Sequence, residues 1–154
     1  MDEDVKQILA RVRESCDFEN VDFSDVNACA NDGDNALHVI ARLGDLAAAE
    51  ALIGAGINVN KAGDLGYTPL HVACMKGNLA MVTLLVNAGA DLFALSEGVP
   101  PFTTARLAGQ DQICEFLGPL MRQAQLQDPK IRVKSKLAQL RAEIARLEAE
   151  LAHS

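Results

Sequence analysis

The sequence predicts an all-α protein: a solenoid of stacked helix pairs plus a long C-terminal helix. Three observations carry this. A stretch of helix-starting, apolar and helix-ending residues returns after 33 positions, from His38 to His71. Within each copy, capping side chains and glycines fall where two short helices must begin and stop. Beyond Asp128-Pro129, no Gly or Pro interrupts the chain as far as Ala152, and apolar residues recur there at alternating steps of four and three.

The clearest copy runs Gly66-Tyr67-Thr68-Pro69-Leu70-His71-Val72-Ala73, then Gly77-Asn78-Leu79, then Leu84 to Asp91. The Thr68 hydroxyl can cap a helix, and Pro69 suits the first helical position, where its missing N–H costs nothing. Gly77 stops that helix, Leu79 to Val86 supply a second one, and Gly89 stops it in turn. The earlier copy is Gly33-Asp34-Asn35-Ala36-Leu37-His38-Val39-Ile40, with Gly44-Asp45-Leu46 and Ala55-Gly56-Ile57-Asn58 matching the later landmarks. Asn35 caps as well as Thr68, so both first helices should start at the same place.

A period of about 33 residues with a T-P-L-H-x-A core is the signature of ankyrin repeats. The chain resembles the ankyrin-repeat family from roughly Val26 to Leu117. A third copy, Gly98-Val99-Pro100-Pro101-Phe102-Thr103-Thr104-Ala105, lies 32 positions beyond Gly66, so its loop is one residue short. Pro100 stands where Thr68 stood, and Thr103 replaces the histidine. Terminal repeats depart from the pattern because a neighbour covers only one of their faces. The expected organisation is a repeat stack over 1–127, with a cap at 1–25 and repeats at about 26–58, 59–91 and 92–120, then a heptad helix at 128–154. Gly118-Pro119 is expected to break the last outer helix.

Asp2 to Cys16 reads as a helix with Val5, Ile8, Leu9 and Val12 on one face. Its acids stand at the positive end of the dipole, and Arg11 and Arg13 near the negative end. It should cover the open face of the first full repeat, with Phe18, Val21 and Phe23 anchoring the segment that follows. Asp17, Glu19, Asp22, Asp25, Asp32 and Asp34 alternate with those residues. Clustered acids of this kind are either a solvated face or a patch that steers a basic partner.

Charge is uneven along the chain: residues 1–128 hold 18 acids against 8 Lys and Arg, while 129–154 hold 3 acids against 6. An acidic body argues against binding a nucleic-acid backbone, which requires clustered cations. No apolar run approaches the roughly 18 residues that span a bilayer, and Met1-Asp2-Glu3-Asp4 lacks the basic start of a secretory signal. The expected compartment is therefore the cytoplasm, with no membrane partner. Cys16, Cys29, Cys74 and Cys114 show no paired spacing for zinc. Cys74 and Cys114 are expected to be buried on helices and Cys29 exposed at a loop tip. No metal or cofactor is expected.

His38 and His71 occupy the fourth T-P-L-H position, where the resemblance implies a structural imidazole bonded to loop backbone of the adjacent repeat. The chain contains no nucleophile elbow, zinc-protease motif or phosphate loop, so it is read as no enzyme. The resemblance implies instead a protein-protein interaction module. By the family's pattern, its partner-facing positions here are Asn31, Asp32, Asp34, Arg42 and Leu43, then Asp64, Leu65, Tyr67, Met75 and Lys76, then Ser96, Glu97 and Val99. Tyr67 and Met75 are the anchor candidates. A compact acidic stack also resembles bacterial immunity or inhibitor-type ankyrin proteins, whose partner would be basic.

In the C-terminal helix, Val133, Leu137, Leu140, Ile144, Leu147 and Leu151 form a heptad seam. A parallel homodimer would set Lys136 against Arg141 and Glu143 against Glu148. An antiparallel homodimer sets Lys134 against Glu148 and Lys136 against Glu150. Self-association through this seam is one reading. Coiled-coil pairing with another protein, as an adaptor or scaffold would use, and folding back onto the stack are the others.

Overall fold

The computed structural model describes residues 1–15, 18 and 20–153. Its α-helices are α1 (Glu3–Arg13), α2 (Ala36–Leu43), α3 (Leu46–Gly54), α4 (Pro69–Lys76), α5 (Leu79–Asn87), α6 (Pro101–Leu107), α7 (Asp111–Gln127) and α8 (Pro129–Ala152). The chain divides into two compact units, Met1–Cys114 and Glu115–Ser154.

Local chemistry explains each helix of the first unit. Asn35 and Thr68 cap α2 and α4, and in both cases the histidine three residues on accepts the cap residue's own N–H. Gly44 and Gly77 end those helices at φ 77° and 75°, a left-handed conformation that relieves the last carbonyls. Asp45 and Asn78 then cap α3 and α5 by accepting from Ala48 and Met81. Each repeat thus folds as an inner helix, a glycine turn and an outer helix. Pro100 offers α6 no side-chain cap, and this helix is the shortest of the eight.

Stacking buries the rest. Inner helices α2, α4 and α6 pack in sequence, and α3 packs on α5. Leu37, Ile40, Leu70, Leu52, Met81 and Leu85 lose all access to solvent between these layers. On a full side chain of this size, burial contributes about 1.5–3 kcal/mol. Helix α1 packs against α2 and α3, with Val5, Leu9 and Val12 buried and Arg11 reaching Asp45 at 2.6 Å. Phe18 is fully buried and stacks on the half-buried Phe23, with ring centroids 5.6 Å apart. Cys16, Asp17 and Glu19 lie outside the described residues.

A second ladder ties the outer turns together. Asn27 donates to Gly56 O and accepts from Asn58 N, and Asn60 repeats the arrangement with Gly89 O and Asp91 N. Asn27 and Asn60 are themselves 33 positions apart, so the same side chain clamps each junction.

The structure corrects three expectations. Gly118-Pro119 does not end the outer helix, since α7 continues through Pro119 to Gln127. A proline interrupts one interior hydrogen bond but need not terminate a helix. The good helix formers beyond it, together with the buried Ile113 and Leu117 before it, keep the helix going. Cys114 is half-buried rather than buried, and Cys29 is half-buried rather than exposed, with its thiol donating to Asn27 O. Cys74 is buried as expected, and desolvation pushes its thiol up to about 12.

The second unit contains α8, whose N-terminus is capped by Asp128 accepting from Lys130 N at 2.8 Å. Its 24 residues extend about 36 Å. Among the described residues, no helix is long and apolar enough to cross a membrane.

Candidate interaction surface

The inner helices are held in line by their histidines. His38 Nδ1 accepts the Asn35 N–H at 3.0 Å, so Nε2 carries the proton and donates to Tyr67 O at 2.9 Å, in the loop of the following repeat. His71 repeats this, with Thr68 N–H on Nδ1 at 3.2 Å and Nε2 donating to Val99 O at 3.0 Å. Burial is the main cause lowering both imidazole pKa values from 6.5, against the raising effect of those carbonyls. Both rings are fully enclosed and neutral, and they position loops without facing solvent.

Two loop residues named as partner-facing are enclosed instead. Asp34 is buried: its carboxylate accepts Asp64 N–H at 3.1 Å and lies 3.5 Å from the Arg42 guanidinium. Gly63 makes this possible, because a Cβ there would overlap Asp34 Oδ1 and crowd His38 Nε2. Ser96 is also buried, and its hydroxyl donates to Leu65 O at 2.9 Å. Both side chains join one loop to the next, so the carboxylate and the hydroxyl are already engaged within the stack.

The remaining positions stay open to different degrees. Asn31, Asp32, Arg42, Leu43, Asp64, Leu65, Met75, Lys76 and Glu97 are exposed, while Tyr67 and Val99 are half-buried. The Tyr67 ring meets His71 edge-on at 5.6 Å, so one side of it belongs to the stack. Met75 is 44% exposed at the end of α4. Leu107 on α6, likewise two residues before its glycine, is 75% exposed, and Leu43 on α2, one residue before Gly44 and so level with Lys76, is 65% exposed. Leu107 and the adjacent exposed Arg106 were missed in the sequence, although they stand two and three residues before Gly109 as Met75 and Cys74 stand before Gly77.

The loop tip of the second repeat is strained. Asp64 to Tyr67 closes a tight turn through Tyr67 N–H to Asp64 O at 2.9 Å, with Leu65 at φ 53° and Gly66 at φ 81°. Such turns favour Asn-Gly, because both central residues are left-handed. A leucine there is unfavourable by roughly 1 kcal/mol, and Leu65 is also 59% exposed. In the third repeat Glu97 takes the equivalent place at φ 50°.

The acidic cluster of the N-terminal loops has a local structural basis. Asp22, Asp25 and Asp32 each accept the backbone N–H two residues on, closing Asx turns. All three residues remain exposed. Among the described residues, no three His, Cys, Asp or Glu side chains gather as a metal set.

The family model described as ankyrin repeats (3 copies) matches residues 2–96 and 44–127 of this chain. No curated protein matches it.

Proposed function

Because this chain belongs to the ankyrin-repeat family, we propose that it grips a partner protein with its loop tips and inner helices and catalyses no reaction of its own. The observation that carries this reading is the exposed pair Met75 and Leu107, each two residues before the closing glycine of adjacent inner helices, with exposed Leu43 at the end of the next inner helix. Isolated surface leucines need no explanation, but exposed apolar side chains repeated on adjacent helices point to an interaction surface. The buried faces of the same helices are complete, so stacking does not require these three side chains.

The partner's chemistry follows from the charges beside those side chains. Asp32, Asp64 and Glu97 face solvent at the loop tips, whereas Arg42, Lys76 and Arg106 stand beside Leu43, Met75 and Leu107 at the opposite helix ends. A partner that places cations over the loop tips and apolar side chains over Met75 and its neighbours fits both. The net charge of −7 adds long-range attraction for such a basic protein. An inhibitor or immunity-type protein that occludes a basic target is the specific role this supports. Cys29, Cys74 and Cys114 are free thiols, which fits action in the reducing cytoplasm.

Affinity capture from extract of the source cell tests the reading. The wild-type chain should retain a basic protein in stoichiometric amount, and a Met75→Asp, Leu107→Asp variant should not. Equal retention by both chains, with unchanged helicity, would exclude the inner-helix surface.

A further inference from the structure

We propose that α8 pairs with α8 of a second copy of this chain, antiparallel and in a register centred on Ala142. This interaction is separate from the partner surface of the repeats and does not depend on it. Its basis is a seam that the helix itself leaves open. Val133, Leu137, Leu140, Ile144 and Leu147 are 67%, 45%, 48%, 54% and 50% exposed, yet they recur at the steps of a coiled-coil core rather than at random.

Only one alignment satisfies both the core and the charges. With Leu137, Ile144 and Leu151 at a positions and Val133, Leu140 and Leu147 at d positions, an antiparallel pair centred on Ala142 opposes Leu137 to Leu147. It also opposes Leu140 to Ile144 and Val133 to Leu151. Every a residue therefore meets a d residue of the other copy, with no apolar side chain left over.

The flanks agree with that register. Lys134 meets Glu148 on one side and Lys136 meets Glu150 on the other, each twice by symmetry. Two self-facing positions oppose this, Arg141 and Glu143. Glu143 already has an intrahelical counter-charge, since Arg146 lies 3.7 Å from it and 3.6 Å from Glu150. A parallel pair has no such balance: Lys136 would face Arg141 and Glu143 would face Glu148, repulsive at all four contacts. Opposite-charge flanks select orientation in short coiled coils, and here they select antiparallel self-pairing.

A seam shorter than three heptads gives a modest affinity, so association should be concentration-dependent. The test uses the full chain. Sedimentation should show a monomer–dimer equilibrium that Ile144→Glu shifts to monomer. Changing Lys134→Glu together with Lys136→Glu should weaken association about tenfold, four exposed pairs being lost, and adding Glu148→Lys and Glu150→Lys should restore it. Orientation is read from an oxidised mixture of Leu137→Cys and Leu147→Cys chains, in which disulfides between the new cysteines should join 137 to 147 and not 137 to 137. A chain monomeric at all concentrations would overturn the proposal and leave the seam to a different protein or to this chain's own stack. Disulfides between identical positions would overturn the antiparallel register, as would charge reversal without restoration.

Discussion

Leu65 shows most directly how a single residue can be unfavourable for folding and still stand at an exposed loop tip. Its left-handed backbone and its exposed side chain both disfavour leucine. Leu65→Asn should therefore raise stability by about 0.5–1 kcal/mol in urea unfolding, while weakening partner binding; a loss of stability would contradict the strain. His38 and His71 act in the opposite sense, as enclosed connectors. Their folded-state pKa values lie below 6.5, so the unfolded chain binds protons more readily. Stability is full above pH 6.5 and falls as pH drops through that value towards the lowered pKa, with Asp34 opposing the shift at His38 and Asp91 at His71. Urea midpoints measured from pH 7.5 to 5.5 should decline, and a His38→Gln, His71→Gln chain, though less stable overall, should decline less. The role of the histidines was legible through the family resemblance, which implies a structural imidazole at the fourth T-P-L-H position. The burial of Asp34 was not legible. It depends on Gly63, which is 29 positions away and leaves room for the carboxylate only once the loops stack. Gly63→Ala should accordingly cost about 2 kcal/mol or more in unfolding free energy, by displacing a buried charge from its partners.

Among the elements, α1 closes the open side of the first repeat, as its apolar spacing indicated. Leu9 is 2% exposed, so Leu9→Ala should cost about 2–5 kcal/mol. The Arg11–Asp45 bridge is a smaller contribution at an exposed site. Asp45 also caps α3, and the Ala48 N–H followed by Arg11 holds its carboxyl below the usual carboxylate range. That contribution is present above the ordinary carboxylate pKa and is lost as pH falls through the lowered one. Asp45→Ala should therefore destabilise by about 1 kcal/mol through the lost cap, and Arg11→Ala by less. Caps and glycine stops were legible because each acts within a few residues of itself. The passage of α7 through Pro119 was not, because propensity marks proline as a stop, whereas the helix formers that follow it and the buried Ile113 and Leu117 before it outweigh the one lost hydrogen bond. Local chemistry thus indicated where most helices begin, while a single proline was a poor guide to how far one of them runs.

For the whole molecule, the acidic repeats and the cationic start of α8 carry opposite charge. A period of 33 residues made the stack legible, since every unit buries its apolar side only against a neighbour. Met75, Leu65 and the loop tips of the proposed partner surface follow from the family's pattern and are exposed in the fold. The exposure of Leu107 was hidden because the last repeat shortens its loop and loses both the capping threonine and the histidine. Residues that bind a partner are the ones stacking leaves free, so no packing rule dictates their identity. Side-chain oxidation footprinting with the captured partner tests the central claim most directly. Met75, Leu43, Leu107 and Leu65 should become protected on binding, while the partly exposed Leu46 on outer helix α3 remains as reactive as in the free chain. Protection of Leu46 with unchanged oxidation of Met75 and Leu107 would contradict it.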